Sequence, residues 1–557
     1  MGEIEKMSKE VLNSRDRIIQ RADLRSFGLG NGDIEKPIIG IITSDCDTKL
    51  IEKIKVGIYE SGSTPLELCL GNFLSASYTA NSEKFCLPYR ELVADTVETI
   101  IASKCLDGVV LVANQPMILA GMTIASVRVN LPTLFMPSGI PNAPICFPQL
   151  SIANAKNKGS TLSIDELNEL ELNTSAGDNT MAGNAFAAVL ESLGLALPKS
   201  GTAAMQSAEI YELARQCGNV ITTLVKNDTR PKMILGKNSL HNAISFVLCL
   251  GLSFDSLIHL LAIAMEASIK IDLDTIKNLS EKVPTLAYPL GSFVQGESNH
   301  LGTISSVQSP ILANEFHKSG GVMVVLKELS RQGLIDGNAN TVTQNLYAAY
   351  NHCNLVSGGC LPTIENAISQ SSGIGVMYGG LAEDGCLYSK KDLGAKPIPA
   401  SFRAKVFDSL ETATNSISVG NISGGDAIIV RFEGPKGSPG MRSIESIQTL
   451  LLGMGLSKSV AIITDGRAST NYDGLVICAL TPEAIDGGKL GIIKDGDNIV
   501  VDYHKSKLEL DIPSKELSQR LKRFDNKDIV ATGWLRKYCS LVGPANYGAT
   551  TKYIGKR

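Results

Sequence analysis

Large aromatic side chains are scarce in this chain, with one tryptophan and only 5% Phe, Trp and Tyr among 557 residues. With few stacking platforms, no basic run and a formal charge of −4, nucleic acid is not an expected partner. Uninterrupted hydrophobic runs are also missing. The most apolar stretch, 243–267, is broken by Ser245, Ser253, Asp255, Ser256 and His259, and a lipid-exposed Asp at mid-span would be costly. Buried helices are expected there, with no membrane as partner. Met1 to Arg25 mixes charges of both signs and lacks the apolar core of a signal peptide, so a cytoplasmic location is expected. Twelve cysteines are scattered without a Cys-x-x-Cys pair or zinc-type spacing, which reads as reduced, buried apolar residues. His-Glu-x-x-His, a P-loop and Gly-x-Ser-x-Gly are absent in the right context.

What is present is a 44% apolar composition and enough length for more than one core; two domains are expected. From Lys36 to Gly139 short β-rich runs alternate with helical periodicity: strands at Pro37–Thr43, Gly108–Ala113 and Thr133–Met136, and a helix over Arg90–Lys104. That order predicts a parallel sheet covered by helices. Residues 180–268 read as mostly helical, including Phe186–Leu193, Ile210–Val225 and an apolar pair around 242–267. Beyond about residue 372 the texture becomes Gly-punctuated, with strands expected at Ala427–Phe432, Val460–Ile463, Lys489–Ile493 and Asn498–Tyr503. Asp495-Gly496-Asp497 between two apolar runs reads as a hairpin turn. The fold class expected is α/β, with an N-terminal parallel-sheet domain rich in helices over 1–375 and a β-rich, barrel-like domain over 376–557.

Several motifs then stand out. Ile-Thr-Asp-Gly-Arg-Ala-Ser spans 463–469, followed by Thr-Pro-Glu-Ala at 481–484, Gly487-Gly488 and Lys-Asp-Gly-Asp at 494–497. Upstream lie Pro88-Tyr89-Arg90-Glu91-Leu92-Val93-Ala94-Asp95, Gly121-Met122 with Leu131-Pro132, Asn184 to Pro198, and Glu433-Gly434-Pro435-Lys436-Gly437 with Pro439-Gly440-Met441. Together they resemble the dihydroxy-acid and phosphogluconate dehydratase family from Lys36 to about Thr551. The resemblance implies an α/β domain joined to a β-barrel domain, an active site where they meet near a subunit interface, and dehydration of hydroxy acids with an iron–sulfur cluster and Mg²⁺. A homo-oligomer, at least a dimer, is implied as well.

The expected ligands of both metal centres are mostly replaced. Clusters are held by thiolates, and the family's three come from motifs that fall here on Ser44-Asp45-Cys46-Asp47, Asn114-Gln115-Pro116-Met117 and Ser175-Ala176-Gly177-Asp178-Asn179. Cys46 is the one candidate left; Gln115 and Gly177 stand in place of the other cysteines. Mg²⁺ takes carboxylate and other oxygens, yet no Asp occurs between Leu68 and Glu91, Pro116 and Met117 replace an acidic ligand and a carbamylated Lys, and only Glu433 is retained. No bound cofactor is therefore expected. Asp178, Asp255 and Glu433 are the carboxylates from which a substitute Mg²⁺ or Mn²⁺ site would have to be built. Ser469 occupies the place of the family's base, and Arg467, with Asp465 and Asp255, is the candidate for binding a substrate carboxylate. Phe254 adds bulk beside the implied pocket, and His259 matches a family histidine but reads as a core residue. The expected function is a divergent dehydratase-family protein that binds a small hydroxy carboxylate or is non-catalytic, with cluster-dependent dehydration lost. The alternatives are a working hydro-lyase with altered cofactor use and a partner subunit of an active paralogue.

Overall fold

The computed structural model describes residues 15–44, 47–71, 82–141, 165, 168, 181, 183–287, 312–389, 401–470, 472–524 and 527–552. Strands β1 (Ile38–Thr43), β2 (Thr64–Cys69), β3 (Gly108–Ala113) and β4 (Thr133–Pro137) form a parallel sheet in the order β2-β1-β3-β4. Every residue of β1, β3 and β4 is buried, as continuous Ile/Val runs require when helices cover both faces. The edge strand β2 exposes Glu67 and Cys69.

Helix Cys86–Ser103 packs against helix Pro116–Val129, which also meets helix Phe254–Ala267. At the first crossing a Cβ on Gly121 would lie 2.5 Å from the Arg90 carbonyl oxygen, so only glycine allows this approach. The expected helices at 186–193 and 210–225 form as Ala185–Ser192 and Ala208–Lys226; the apolar pair forms as Lys237–Leu250 and Phe254–Ala267. No helix among the described residues is long and apolar enough to cross a membrane.

From Ile374 onward the chain builds β5 (Ile374–Met377), β6 (Gly385–Ser389), β7 (Ser401–Phe407), β8 (Asp426–Val430), β9 (Ala461–Thr464), β10 (Val476–Thr481), β11 (Asn498–Asp502) and β12 (Lys507–Asp511). They make one sheet in the order β12-β11-β7-β8-β9-β10-β6-β5, parallel from β7 through β10 and antiparallel at both flanks. Tyr378 N–H donates to the Ser506 carbonyl at 3.0 Å and Leu508 N–H to the Tyr378 carbonyl at 2.8 Å, so the last strand is stitched back to the first and the sheet nearly closes. Neighbouring residues on one strand enter different cores. Ile429, Ile463 and Ile477 fill the inside, while Ile428, Ile462 and Val476 face the cluster shared with the N-terminal helices.

Two local expectations fail. Lys489–Ile492 is a 3₁₀ turn rather than a strand, because Gly491 lies against the Phe524 ring and Arg431 draws the carbonyls of Gly491 and Ile493 away from any ladder. Asp495 to Asp497 accordingly do not close a hairpin. They dock on β7, with the Val406 amide donating to Asp495 and the Gly496 amide to Ala404 O. The hairpin belongs instead to β11 and β12, around 503–506.

Candidate functional site

The two halves are latched by Arg90 and Glu91, both fully buried on helix Cys86–Ser103. Arg90 Nε and Nη2 donate to Glu91 Oε1 at 2.9 and 2.8 Å, and Nη2 also reaches the carbonyls of Gly548 and Ala549 at 2.9 and 2.7 Å. Glu91 Oε2 accepts the amide and hydroxyl of Thr551 at 3.1 and 2.7 Å. Burial opposes ionisation of Glu91, but Arg90 and Thr551 outweigh it and hold the carboxyl below its ordinary value. His259 Nδ1 lies 3.2 Å from Arg90 Nη1, and since guanidinium only donates, Nδ1 must accept and the ring proton sits on Nε2. Burial, then Arg90 and Arg467, keep His259 neutral; among the described residues its Nε2 has no hydrogen-bond partner. The ring packs edge-on against Phe186 at 5.3 Å, so His259 is a core residue of the latch.

Beside this latch the start of helix Phe254–Ala267 meets the loop after β9. Ser253 caps the helix through the Ser256 amide, and Asp255 lies in the first turn, where the helix dipole favours a carboxylate. Asp255 Oδ2 accepts from Arg467 Nη1 at 2.5 Å. Arg467 Nε donates to Met441 O at 2.7 Å, while the backbone is pinned by Arg467 N–H to Arg442 O at 2.8 Å and Ile444 N–H to Arg467 O at 2.9 Å. Among the described residues Arg467 Nη2 makes no hydrogen bond, and Asp255 Oδ1 is buried without a partner. The structure thus brings Arg467 and Asp255 together, 6% and 26% exposed at their side chains.

The remaining candidates are placed differently. Asp465 is fully buried and accepts the amides of Phe432, Glu433 and Ala484 at 3.1, 2.8 and 3.0 Å; burial pushes its carboxyl up to about 6. Its carboxylate therefore shapes the turn that carries Arg467. Glu483 plays the same part nearby, accepting the Lys436 and Gly437 amides, with burial and Asp465 pushing it up to about 8. Ser469 is held through its backbone: Gln448 donates to Ser469 O at 2.8 Å and accepts from Ser469 N–H at 2.9 Å. Glu433 is enclosed. Arg442 grips it at 2.8 and 2.9 Å, the Leu410 amide donates to Oε1 at 2.8 Å, and Arg442 also binds Glu411.

The order of the first sheet reverses between β1 and β3, so ligands are expected outside the carboxyl ends of these two strands. Gln115 ends β3's continuation there as N-cap of helix Pro116–Val129, Pro116 supplies the preset φ of the first helical residue, and Met117 is buried. Cys46, Gly177 and Asp178 lie outside the described residues. Among the described residues the donors do not fit a cluster or Mg²⁺: an amide, an imino acid and a thioether stand at Gln115, Pro116 and Met117, and Glu433 is committed to Arg442. No group of three or more His, Cys, Asp or Glu among them is arranged to hold a metal ion.

Sequence reasoning missed Glu83, Arg442 and Gln448. Arg442 directly follows the Pro439-Gly440-Met441 segment and was within reach of a motif reading, but nothing local marks Glu83 or Gln448. Glu83 begins a turn that docks on the C-terminal half. A Cβ on Gly440, at φ +102°, would lie 1.8 Å from Lys84 O, so glycine alone permits the contact. Glu83 Oε1 accepts the Ser443 amide at 2.9 Å, and Ser443 pairs with Arg467.

Comparison with known proteins agrees with this architecture. The Dihydroxy-acid/6-phosphogluconate dehydratase N-terminal model matches residues 36–350 and the C-terminal model matches residues 359–549. The chain is 32% identical to the dihydroxy-acid dehydratase of Hydrogenobaculum sp. (strain Y04AAS1), over 96% of this chain and 97% of that protein. It is also 32% identical to the dihydroxy-acid dehydratase of Acetivibrio thermocellus, over 97% and 99%, and to that of Pyrococcus abyssi, over 96% and 98%.

Proposed function

This chain belongs to the dihydroxy-acid/6-phosphogluconate dehydratase family, and on that premise we propose that it binds a small hydroxy carboxylate at Arg467, Asp255 and Ser469 without the cluster- and Mg²⁺-dependent chemistry that the resemblance implies. The observation that carries this reading is the state of Glu433. Both of its oxygens are taken by the Arg442 fork and one also by the Leu410 amide, so turning it toward a cation would leave Arg442 buried with only half-exposed Glu411 as its counter-charge. Arg467, with Nη2 unengaged, keeps a donor suited to a carboxylate.

The test is anaerobic purification followed by iron, sulfide and Mg²⁺ analysis, with calorimetry against glycerate and 6-phosphogluconate. Substoichiometric metal together with measurable binding is expected. Stoichiometric iron and sulfide, or Mg²⁺-dependent turnover, would refute it. A second reading, a hydro-lyase with altered cofactor use, is favoured by Glu83, whose carboxyl burial raises despite the opposing influence of Arg467, the Ser443 amide and Arg442. A raised carboxyl beside a guanidinium suits acid–base work. Release of a keto acid from either compound by metal-free protein would select that reading.

A further inference from the structure

We propose that Glu83 recognises the hydroxyl group of the ligand and takes up a proton when the ligand's carboxylate settles on Nη2 of Arg467. This inference rests on the hydroxy-carboxylate reading above and assigns a role to a residue that no motif of the sequence marks.

The geometry supplies three parts. Glu83 is fixed at one oxygen by the Ser443 amide, and its second oxygen, Oε2, makes no hydrogen bond among the described residues. Ser443 is the bridge partner of Arg467, so the Glu83 carboxyl is anchored on the segment that pairs with the one carrying the guanidinium. Glu83, Asp255 and Ser469 are the partly exposed members of the group, whereas Arg467 is buried. Glu83 is therefore reachable from solvent, as a group that recognises a ligand hydroxyl must be.

Charge then decides the protonation state. Arg467 and Asp255 already cancel as an ion pair. Arg442 also faces Glu83, but it is shared between Glu433 and Glu411. Cys86 and Lys84 lie on Glu83's own turn. An arriving carboxylate thus adds a negative charge where both guanidiniums that act on Glu83, Arg467 and Arg442, are already paired with carboxylates, and two carboxylates sharing a site cannot both stay ionised cheaply. Glu83 is the member able to give way, because Asp255 is held by Arg467 and Glu83 is already displaced by burial toward its neutral form. Once protonated it offers an O–H donor and a carbonyl acceptor, which together match a hydroxyl.

The test is calorimetry of the full chain with glycerate and with 6-phosphogluconate, in PIPES and in Tris, across a pH series. Propionate serves as the carboxylate lacking a hydroxyl. The wild type should show a buffer-dependent heat equivalent to uptake of close to one proton, and an affinity falling roughly tenfold per pH unit at alkaline pH. Glu83→Gln keeps both hydrogen-bonding functions but cannot ionise. It should bind the hydroxy acids with no buffer dependence and a flat pH profile, and Glu83→Ala should bind them no better than propionate. Proton uptake that survives in Glu83→Gln, pH-independent binding by the wild type, or loss of all binding in a folded Glu83→Gln would each overturn this inference while leaving the binding reading in place. No heat from either hydroxy acid with the wild type would overturn both.

Discussion

Arg90 and Arg467 are both buried, both lie where the N-terminal helices meet the C-terminal half, and both face a carboxylate, yet they are finished to different degrees. Arg90 donates to Glu91, to two carbonyls of the C-terminal segment and to His259. Arg467 has one carbonyl, one oxygen of Asp255 and an unengaged Nη2. A buried guanidinium with every nitrogen engaged stabilises an interface, because little is left for a competitor to bind. One with a donor left over, beside a partly exposed partner, holds an incomplete set of bonds that a ligand can complete.

The largest effect expected from this contrast is in the latch. Glu91→Gln leaves Arg90 buried without its counter-charge and should cost about 3–5 kcal/mol of unfolding free energy in urea titration. A loss under about 1 kcal/mol would mean that the Arg90 region is no more saturated than the Arg467 region.

The two regions should also respond to pH in opposite directions. Glu91 is held below its ordinary value, so its contribution is present above the unfolded carboxyl pKa and is lost as pH falls through its lowered folded value. Asp465, in the turn bearing Arg467, and Glu483, which holds the Lys436 and Gly437 amides, are raised to about 6 and about 8. Their contribution is present below the unfolded carboxyl pKa and is lost as pH rises through those folded values, at on the order of 1 kcal/mol per pH unit for each group while it titrates. Urea unfolding from about pH 5 to about pH 9 should show declining stability, and Glu483→Gln should flatten the upper part of that decline.

Asp255→Asn sharpens the comparison from the other side. If Arg467 is a ligand-binding arginine, removing its internal competitor should tighten glycerate binding roughly fivefold, equivalent to about 1 kcal/mol, with a similarly small change in stability. A stability loss matching that of Glu91→Gln would instead make Arg467 a second latch. The smallest effect is expected for Ser469→Ala. Gln448 positions this residue through backbone atoms, so unfolding free energy should change by no more than about 0.5 kcal/mol, while loss of the hydroxyl should weaken glycerate binding by about 0.5–1 kcal/mol.

Much of the scaffold is legible in the sequence. Pro37–Thr43, Gly108–Ala113 and Thr133–Met136 are apolar runs of strand length, and they form β1, β3 and β4 because a strand covered on both faces needs no polar alternation. Lys489–Ile493 has the same texture but became a 3₁₀ turn: a short apolar run specifies burial, and whether it also pairs depends on what competes for its carbonyls, here Arg431. At the candidate site, Arg467 and Asp255 were both named from sequence, 212 residues apart, and they meet. Asp465 was named as well, but its oxygens are spent on three amides, and no one-dimensional pattern reveals whether a carboxylate faces a ligand or its own backbone.

The family, the parallel α/β half, the β-rich half and the chemical identity of Gln115, Pro116 and Met117 at the end of the central strand are all written in the chain itself. These follow from periodicity, side-chain chemistry and motif order, all local properties of the chain. That Glu433 is closed off by Arg442, that Arg467 keeps a donor in reserve and that Glu83 sits beside it emerge only on folding. Those outcomes depend on how charges from segments distant along the chain share a buried space. Desolvation there makes each ion take the nearest partner the fold supplies, whatever its position in sequence.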